Sequence, residues 1–440
     1  MEILYDNEGT PLMFRGRGVY GITTTTPKVT TEEPKETFRV GGHDYVCWGP
    51  GNRWPDEAVR TIGSTGVLST GIGFKARTSF GQGVVPMDVT GYDENGEMLL
   101  RACQDPEVQK YFRSWQFINY ASSAFRDLFK FGNCFPILYF NHDGSRIVNT
   151  IIHNARHCRI SVEKDRILTF PNFDERWPSD KDCTVFPMLD EYDPFLDLER
   201  RRATGKLDGK AIAFPRIKNY YSNNDFYGIP DWDAAQKSGW IDIANKIPKF
   251  LAKSYANAMS LMWHIQVPKS WFETHFPKGD SKSKQERQQK VDEWMEKMER
   301  DLCGEENVSK AFISQYTTGI NGKEECWKID RLENEIDAKE RLSTSAAANS
   351  EILFSLMINP SVFGAGMPGG AYAGNAGSGS DIRESFLVSI ITTYIEKQQV
   401  LFPIKMMLGY NGHGDDLVLK YKETILTTLN TGQAKEEITT

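Results

Sequence analysis

The chain has 440 residues, 40% of them hydrophobic and 25% charged, and these values are typical of a folded protein with about two to four compact units. Its 52 Lys and Arg against 59 Asp and Glu give a net charge of −7, which argues against a protein whose main task is to grip phosphates, without excluding DNA that passes through a charged channel. No apolar run approaches the roughly 18 residues of a membrane helix, and the N-terminus lacks a secretory signal.

The first 40 residues are predicted to be irregular. Residues 1–40 carry Thr-rich stretches without helical period, which predicts an extended N-terminal arm. Residues 41–95 are Gly-rich, with short apolar runs. The glycines of 71–73 and 81–83 suggest a nucleotide loop, but no strand–GxGxxG–helix unit and no P-loop motif accompanies them, so this interpretation is weak.

Residues 106–131 show apolar side chains at spacings of three and four, which predicts a helix that ends at Gly132 and Asn133. An apolar strand over 134–140, a turn over 141–144 and a return strand from 146 predict a hairpin. Residues 150–230 are expected to be rich in short strands, among them 159–162 and 166–170. The basic triplet 200–202 is interpreted as a solvated loop rather than as a phosphate contact.

Longer helices are predicted in the second half of the chain. One begins at Pro230 and continues to about His264, with a kink at Pro248. Residues 265–333 then predict a small unit of strand, helix and two strands, the last two forming a hairpin. A second helix covers 335–358, an uncharged Gly-rich loop covers 364–379, and a third helix runs from an Asp381 cap to about Leu408. A short strand at 417–419, a short helix and a polar tail complete the chain.

Candidate catalytic and metal-binding residues are few. His153, His157 and Cys158 form the best metal set, but the flanking residues predict strand and no HExxH pattern is present. An acidic group at 190–199 lacks the spacing of a ligand loop and is better explained as a solvated loop. The seven cysteines contain no CxxC pair, which predicts reduced thiols. We therefore expect no catalytic residues, no metal and no cofactor, and keep a metal-dependent nucleic-acid enzyme as the alternative.

The order of the predicted elements is more informative than any local motif. Two long helices flank a small α/β unit, so they can pair as a stalk that carries this unit at its tip. Such a stalk would expose apolar side chains in a monomer, and a closed ring of subunits would bury them. The residues expected at this contact are Trp232, Trp240, Ile243, Leu353 and Leu356.

Several stretches, taken in order, resemble the portal proteins of tailed bacteriophages. Residues 127–135 with the turn 141–144 resemble the family's "GN" hairpin, and 227–232 (YGIPDW) resembles its "YGxP" opening of the first stem helix. Residues 359–364 and 377–381 resemble the end of the second stem helix and the start of the helix after the tunnel loop. The resemblance covers roughly residues 55–410.

The resemblance implies an α+β portal fold with a wing, a long-helix stem, a small α/β clip, a Gly-rich tunnel loop and a short C-terminal crown. The implied boundaries are an N-terminal arm 1–40, a wing 41–226, stem helix 227–264, clip 265–333, stem helix 334–358, tunnel loop 359–380, wing helix 381–409 and crown or tail 410–440. The tunnel-loop residues implied to line the DNA channel are Gly364, Gly366, Met367, Gly369, Gly370, Tyr372, Gly374, Asn375 and Gly377.

The resemblance also implies a non-enzymatic function. A portal is a homo-oligomeric ring, a dodecamer, at one vertex of the viral capsid. Double-stranded DNA is packaged and ejected through it, and ATP hydrolysis belongs to a separate terminase. The implied partners are the large terminase subunit, the major capsid and scaffold proteins and a head–tail adaptor. No membrane is involved, and the ring is assembled in the host cytoplasm before it becomes part of the virion.

Overall fold

The structure is a computed structural model, and it describes residues 2–5, 11–16, 19–22, 36–171, 182–205, 207, 211–219, 226–258, 263–277, 284–302, 311–316, 328–331, 338–363, 379–414 and 417–422. The chain divides into two compact units, which are described separately. Unit 1 consists of Met1–Asp233 and Phe386–Thr440, and unit 2 consists of Ala234–Ser385. With several small sheets and long helices, the protein has an α+β fold, as predicted.

The first part of unit 1, up to the central hairpin, alternates small sheets with helices. Its elements are β1 (Glu2–Tyr5), β2 (Pro11–Gly16), β3 (Val19–Ile22), β4 (Thr37–Val40), β5 (His43–Val46), α1 (Trp54–Ser64), α2 (Gly66–Phe80), β6 (Val84–Tyr92), β7 (Met98–Ala102), α3 (Pro106–Phe112), α4 (Trp115–Phe131), β8 (Asn133–Phe140) and β9 (Ile147–His153).

The rest of unit 1 consists mainly of short strands and includes two helices. These elements are β10 (Cys158–Ile160), β11 (Arg166–Thr169), β12 (Thr184–Pro187), α5 (Pro194–Thr204), β13 (Ala211–Ala213) and β14 (Ile217–Lys218), and after unit 2 the chain returns with α13 (Tyr394–Tyr410) and β18 (Leu417–Tyr421).

The sheets of unit 1 are antiparallel and small. Strand β8 pairs with β9 on one side and with β13 and β14 on the other, while β18, β6 and β7 form a second sheet in that order. Helix α4 packs against α2 and β8. Its side chains Phe117, Phe125 and Leu128 are buried, so α4 is the central helix of the unit's core.

The helix and hairpin predicted over 106–146 are present, with one difference. Two helices, α3 and α4, replace the single predicted helix, because the Ser114 side chain accepts a hydrogen bond from Phe117 N (3.3 Å) and starts α4 as its N-cap. Helix α4 ends at Gly132, which has a φ of +67°, and β8 and β9 form the predicted hairpin. Trp115 at the start of α4 is exposed rather than part of the apolar face.

Helices α1 and α2 are the main elements that the sequence analysis missed. The glycines at 71 and 73 lie inside helix α2 and not in a nucleotide loop. Glycine weakens a helix by about 1 kcal/mol relative to alanine, but Leu68 and Ile72, four residues apart, are fully buried on one side of α2. Their tertiary packing outweighs the low helix propensity of the segment.

Unit 2 consists of helices around one mixed sheet. Its elements are α6 (Asp233–Lys237), α7 (Trp240–Ala258), β15 (Trp263–Pro268), α8 (Lys269–His275), α9 (Lys284–Leu302), β16 (Ala311–Tyr316), β17 (Lys328–Arg331), α10 (Ala338–Ser355) and α11 (Pro360–Phe363). Helix α12 (Gly379–Thr392) begins in unit 2 and continues into unit 1, which resumes at Phe386.

The prediction of one helix from Pro230 to His264 is wrong in its start, its end and its continuity. Helix α6 begins at Asp233, and Gly239, with a φ of +86°, separates α6 from α7. Trp263 and His264 belong to strand β15. Pro248 lies inside α7 without ending it. Helices α7 and α10 contact each other, and the Arg341 guanidinium lies over the Phe250 ring at 4.1 Å.

The predicted hairpin at the end of the 265–333 segment is also wrong. Strand β15 lies between β16, with which it is parallel, and β17, with which it is antiparallel, so β16 and β17 do not pair with each other. Helices α8 and α9 connect the parallel pair, as parallel strands require a crossover. Phe272 and Val267 are buried in this unit and pack with Trp271 and Trp294.

The third long helix is present as two helices. Helix α12 begins at Gly379, so Asp381 is inside it and not its N-cap, and Thr393 separates α12 from α13. The predicted strand at 417–419 is present as β18. The short helix predicted after it lies outside the described residues.

Candidate functional site

Two of the stretches that carry the family resemblance, 127–135 and 227–232, meet in unit 1. Gly132, at the end of α4, and Gly228 approach so closely that neither position has room for a side chain. A Cβ atom on Gly228 would lie 2.4 Å from Gly132 O, and one on Gly132 would lie 2.7 Å from Pro230 N. Because the obstructing atoms belong to the backbone, only glycine fits at either position. We call this contact, with its neighbours described below, the motif junction.

Asn133 joins the two segments through its side-chain amide. Its Oδ1 accepts a hydrogen bond from Gly228 N (2.8 Å), and its Nδ2 donates to Gly228 O (2.8 Å) and to Phe131 O (2.8 Å). The side chain is completely buried. It therefore satisfies both backbone groups of Gly228 in the way that a neighbouring strand would.

Four aromatic side chains stack along the motif junction. Tyr227 lies on Trp48 with ring centroids 4.4 Å apart, Trp48 lies on Trp54 at 5.4 Å, and Trp54 lies on Trp232 at 6.2 Å. The Trp232 indole N–H donates to Lys130 O (3.0 Å). The stack thus connects residues 48–54 to the 227–232 motif just before the chain leaves unit 1.

The Tyr227 hydroxyl is also fixed by hydrogen bonds. It donates to Val46 O (2.8 Å) and accepts from Ile160 N (3.1 Å). Burial raises the pKa of Tyr227 to about 12, so the phenol stays protonated and remains a donor. This hydroxyl is a structural group and not an acid or base for catalysis.

A buried ammonium group lies beside the motif junction. Lys75 Nζ of α2 is 2.9 Å from Asp231 Oδ2, and the lysine side chain is only 6% exposed. Asp231 Oδ1 accepts a second hydrogen bond from Asn219 Nδ2 (2.7 Å). A second carboxyl group, that of Glu396 on α13, interacts electrostatically with Lys75 and with Asp231.

Glu396 is not well accommodated beside this pair. Its Oε2 is buried without a hydrogen-bond partner among the described residues. Burial raises the pKa of the Glu396 carboxyl, repulsion from Asp231 acts in the same direction, and the attraction of Lys75 only partly offsets them. The protonated form of Glu396 is therefore favoured in the folded protein relative to an exposed glutamate.

The five predicted stem residues have different surroundings. Trp232 is 2% exposed and packs inside unit 1, and Leu353 and Leu356 of unit 2 are also buried in the single chain. Trp240 and Ile243 of α7 are partly exposed. Of the five, only Trp240 and Ile243 are therefore exposed enough in the single chain to take part in the predicted contact between subunits. All nine predicted tunnel-loop residues, from Gly364 to Gly377, lie outside the described residues.

Two of the three metal candidates, His153 and Cys158, are engaged in other contacts, whereas His157 Nδ1 is buried without a hydrogen-bond partner among the described residues. His153 Nε2 is 2.8 Å from the Tyr139 hydroxyl, and the Cys158 thiol donates to Asn154 O (3.3 Å). Burial raises the pKa of Cys158 far above its usual range and lowers the pKa of His157, so the thiolate that a metal needs is disfavoured. Among the described residues, no group of three or more His, Cys, Asp or Glu is arranged to hold a metal ion.

The acidic group at 190–199 has structural roles. The Asp190 carboxylate accepts backbone hydrogen bonds from Tyr192 and Asp193, and Asp193 is the N-cap of α5. Asp197 pairs with Arg201 at 2.9 Å. Of the basic triplet, Arg202 lies over the Tyr410 ring at 4.5 Å. These contacts fix α5 and provide no separate cation or phosphate site.

An exposed apolar stripe lies on α12 and α13. Its members, which we call the helical stripe, are Leu387 (54% exposed), Val388 (58%), Ile391 (72%), Tyr394 (61%) and Ile395 (49%). Side chains of this size are normally covered, and five of them side by side indicate an interaction surface. None of the described helices is both long and apolar enough to cross a membrane.

Each motif is recognisable in the sequence, but the contact between them is not, because 95 residues separate Asn133 from Gly228. One signal was available: both motifs place a glycine among large apolar residues, and such glycines often mark a close backbone approach. The aromatic stack was missed because Trp48 and Trp54 lie in a segment that showed no helical period.

Comparison with known proteins identifies the fold. No protein-family model and no curated protein matches the chain. A chain in the virion of a native gene transfer agent (GTA) particle is similar in structure, with a TM-score of 0.54 and 15% identity over 87% of this chain and 86% of that one. Chains in the necks of two GTA particles are also similar in structure.

The neck of the native GTA particle, computed with C12 symmetry, contains a chain with a TM-score of 0.51 and 15% identity, covering 85% of both chains. The neck of the empty GTA particle, computed with C6 symmetry, contains one with a TM-score of 0.54 and 14% identity, covering 86% of both. This protein therefore shares its fold, over nearly its whole length, with chains of phage-derived particles.

Proposed function

We propose that the protein is a ring-forming structural subunit of a phage-like particle, and specifically the portal through which double-stranded DNA enters and leaves the capsid. The observation that carries the proposal is the similarity over 85% or more of the chain to components of particle necks computed with C12 and C6 symmetry. Two of the stretches that resemble portal proteins, 127–135 and 227–232, support the finer assignment, because they form one packed junction in unit 1.

The proposed portal is a dodecamer at one vertex of the virion, assembled in the cytoplasm of the host. Its partners are the large terminase subunit, which hydrolyses ATP, the capsid and scaffold proteins, and a head–tail adaptor. Residues 359–380 form the tunnel loop, which faces the DNA, and Trp240 and Ile243 contribute to contacts between subunits. The protein itself is not an enzyme, and a metal-dependent nuclease is not favoured by any cluster among the described residues.

The ring can be tested by native mass spectrometry and negative-stain electron microscopy of the full chain, at increasing protein concentration and with capsid and scaffold proteins added. We expect a closed ring with a central hole and a mass near twelve times the 50.0 kDa subunit. A chain that remains monomeric under all these conditions would contradict the proposal.

A further inference from the structure

The β18–β6–β7 sheet of unit 1 is apolar on both faces. On one face, which we call the inner face, Val84, Pro86, Leu417 and Leu419 are buried. Antiparallel sheets at a protein surface usually alternate, with apolar residues on the covered face and polar residues on the other. This sheet departs from that pattern, because its second face is also built from apolar side chains.

The register of the strands defines this second face. Tyr92 pairs with Met98, Val89 pairs with Leu100, and Met87 lies between Ala102 and Val418. Cross-strand partners and alternate residues share one side of a sheet. We call this surface the outer face. Its larger apolar members are Val85, Met87, Val89, Tyr92, Met98 and Leu100, and Lys420, the partner of Val85, lies at one end of the same face.

The outer face is open to solvent in the single chain. Tyr92 is 65% exposed, Met98 54% and Val85 37%. Strand β7 is the edge of the sheet and all its residues are exposed or half-exposed. Uncovered apolar faces and edge strands favour association with another chain, so this surface requires a partner in the assembled protein.

The helical stripe has the dimensions of a partner for the outer face. Leu387 to Ile395 span up to roughly 12 Å, at 1.5 Å per residue, across the end of α12 and the start of α13. Three strands at 4.8 Å spacing are roughly 10 Å wide. A helix laid on a sheet through apolar residues is one of the standard layered arrangements of proteins.

The two surfaces lie on opposite sides of the sheet. Tyr421 of β18 pairs with Val84, so it belongs to the inner face. Its hydroxyl donates to Lys397 O of α13 (3.4 Å), and Lys397 Nζ lies over its ring at 5.6 Å. Helix α13 therefore packs on the inner face, and the outer face points away from it. Within one chain, the β18–β6–β7 sheet therefore lies between the helical stripe and the outer face.

We propose that the helical stripe of one subunit covers the outer face of the β18–β6–β7 sheet of the next copy of this chain. The inference rests on the proposed ring and assigns it a specific contact. Two different surfaces on opposite sides of one unit make a head-to-tail contact, and repetition of such a contact with rotation closes a ring. Neither surface carries a charged side chain at its centre, so a second copy satisfies both surfaces at once.

Complementation of two broken surfaces tests this contact. Ile391→Asp places a charge on the stripe, and Met98→Asp places one on the outer face, both at positions exposed enough to leave the fold unchanged. Each variant alone is expected to lose the ring and remain monomeric. Their equimolar mixture retains one intact stripe and one intact outer face, so it should form a heterodimer with twice the 50.0 kDa monomer mass and nothing larger.

Two controls make the result specific. A mixture of Ile391→Asp with Leu387→Asp contains no intact stripe and should stay monomeric, while Tyr192→Asp, at an apolar position that is 87% exposed elsewhere, should leave the ring unchanged. Circular dichroism checks that each variant is folded. If the wild type forms rings and the single variants still form rings too, this contact would be wrong and the proposed ring would stand. The same conclusion would follow if the mixture of Ile391→Asp and Met98→Asp gave no heterodimer. A wild-type chain that never forms rings would overturn both.

Discussion

Gly228 shows how single residues determine the motif junction. A side chain at this position would meet the backbone oxygen of Gly132 at 2.4 Å, and backbone cannot rotate away as a flexible side chain does. We expect Gly228→Ala to destabilise unit 1 by about 1–3 kcal/mol, the usual cost of overpacking a well-packed interior. The free energy of unfolding from urea titrations, followed by near-UV circular dichroism of the stacked tryptophans, measures this effect.

Gly63→Ala is the matched control for Gly228→Ala. Gly63 lies in helix α1 without a positive φ, and a Cβ atom added there would meet no other atom within 4 Å. Alanine there should leave the stability unchanged or raise it by up to about 1 kcal/mol. If both variants had the same stability as wild type, the close approach of the two motifs would not exist in solution.

Glu396 is a residue whose charge is expected to oppose folding. Its carboxyl group has a raised pKa because burial is not offset by the attraction of Lys75. A group whose pKa is raised in the folded state favours folding when it is protonated, and that contribution is lost as the pH rises through the folded-state pKa. At any pH above that folded-state pKa, wild-type unit 1 therefore carries an unfavourable charge.

Glu396→Gln removes this charge and should raise the melting temperature at pH 7–8. The difference from wild type should shrink as the pH falls through the raised folded-state pKa of Glu396 and should vanish below the usual pKa of glutamate, about 4.3, because wild-type Glu396 is then protonated in the folded and unfolded states. Thermal melts between pH 4 and pH 8 provide the measurement. Glu199→Gln, at an exposed position on α5, is the control and should show no such pH-dependent gain. A lower melting temperature for Glu396→Gln at pH 7 would mean that the attraction of Lys75 outweighs burial.

At the scale of elements, the segments that could be predicted are those with local causes. The β8–β9 hairpin was predictable because a four-residue turn joins two adjacent apolar strands. The end of α4 was predictable because glycine accepts the left-handed conformation. In both cases the deciding interactions lie within about ten residues of the element.

The elements that were not predicted depend on distant contacts. Strand β15 separates β16 from β17, and nothing in the residues 311–331 themselves reveals that a strand about 50 residues upstream pairs with both. Helix α2 contains two glycines and forms because Leu68 and Ile72 are buried by tertiary packing. Similarly, the apolar residues of the helical stripe recur in the sequence at spacings of three and four, whereas the outer face can be recognised only from the register of three strands.

For the candidate site, the sequence identified the two motifs and the structure identified what they do together. Asn133 and Gly228 were each parts of separate motifs, and their hydrogen bonds connect them across 95 residues. The prediction that Trp232 faces a neighbouring subunit assumed an isolated stem helix. In the folded chain the Trp232 side chain instead stacks on the Trp54 ring and donates a hydrogen bond to Lys130 O.

At the scale of the whole molecule, the acidic charge matters for the proposed passage of DNA. A conduit that bound DNA tightly would stall translocation, and a net charge of −7 per chain disfavours such binding. Basic DNA-binding proteins release counterions, so their affinity falls steeply with salt concentration. A portal with an uncharged loop should lack this dependence.

We therefore expect assembled rings to bind duplex DNA more weakly than the roughly 10⁻⁴–10⁻⁶ M typical of non-specific DNA-binding proteins, with little change between about 50 and 200 mM salt. Fluorescence anisotropy of a labelled duplex measures both quantities. Tyr372→Lys, in the proposed tunnel loop, should add salt-dependent binding because each subunit then presents a cation to the channel, whereas Tyr192→Lys, at a position 87% exposed outside both proposed contact surfaces, should add less. Tight wild-type binding with a steep salt dependence would show that Lys and Arg grip the phosphates, and the conduit mechanism would then be wrong.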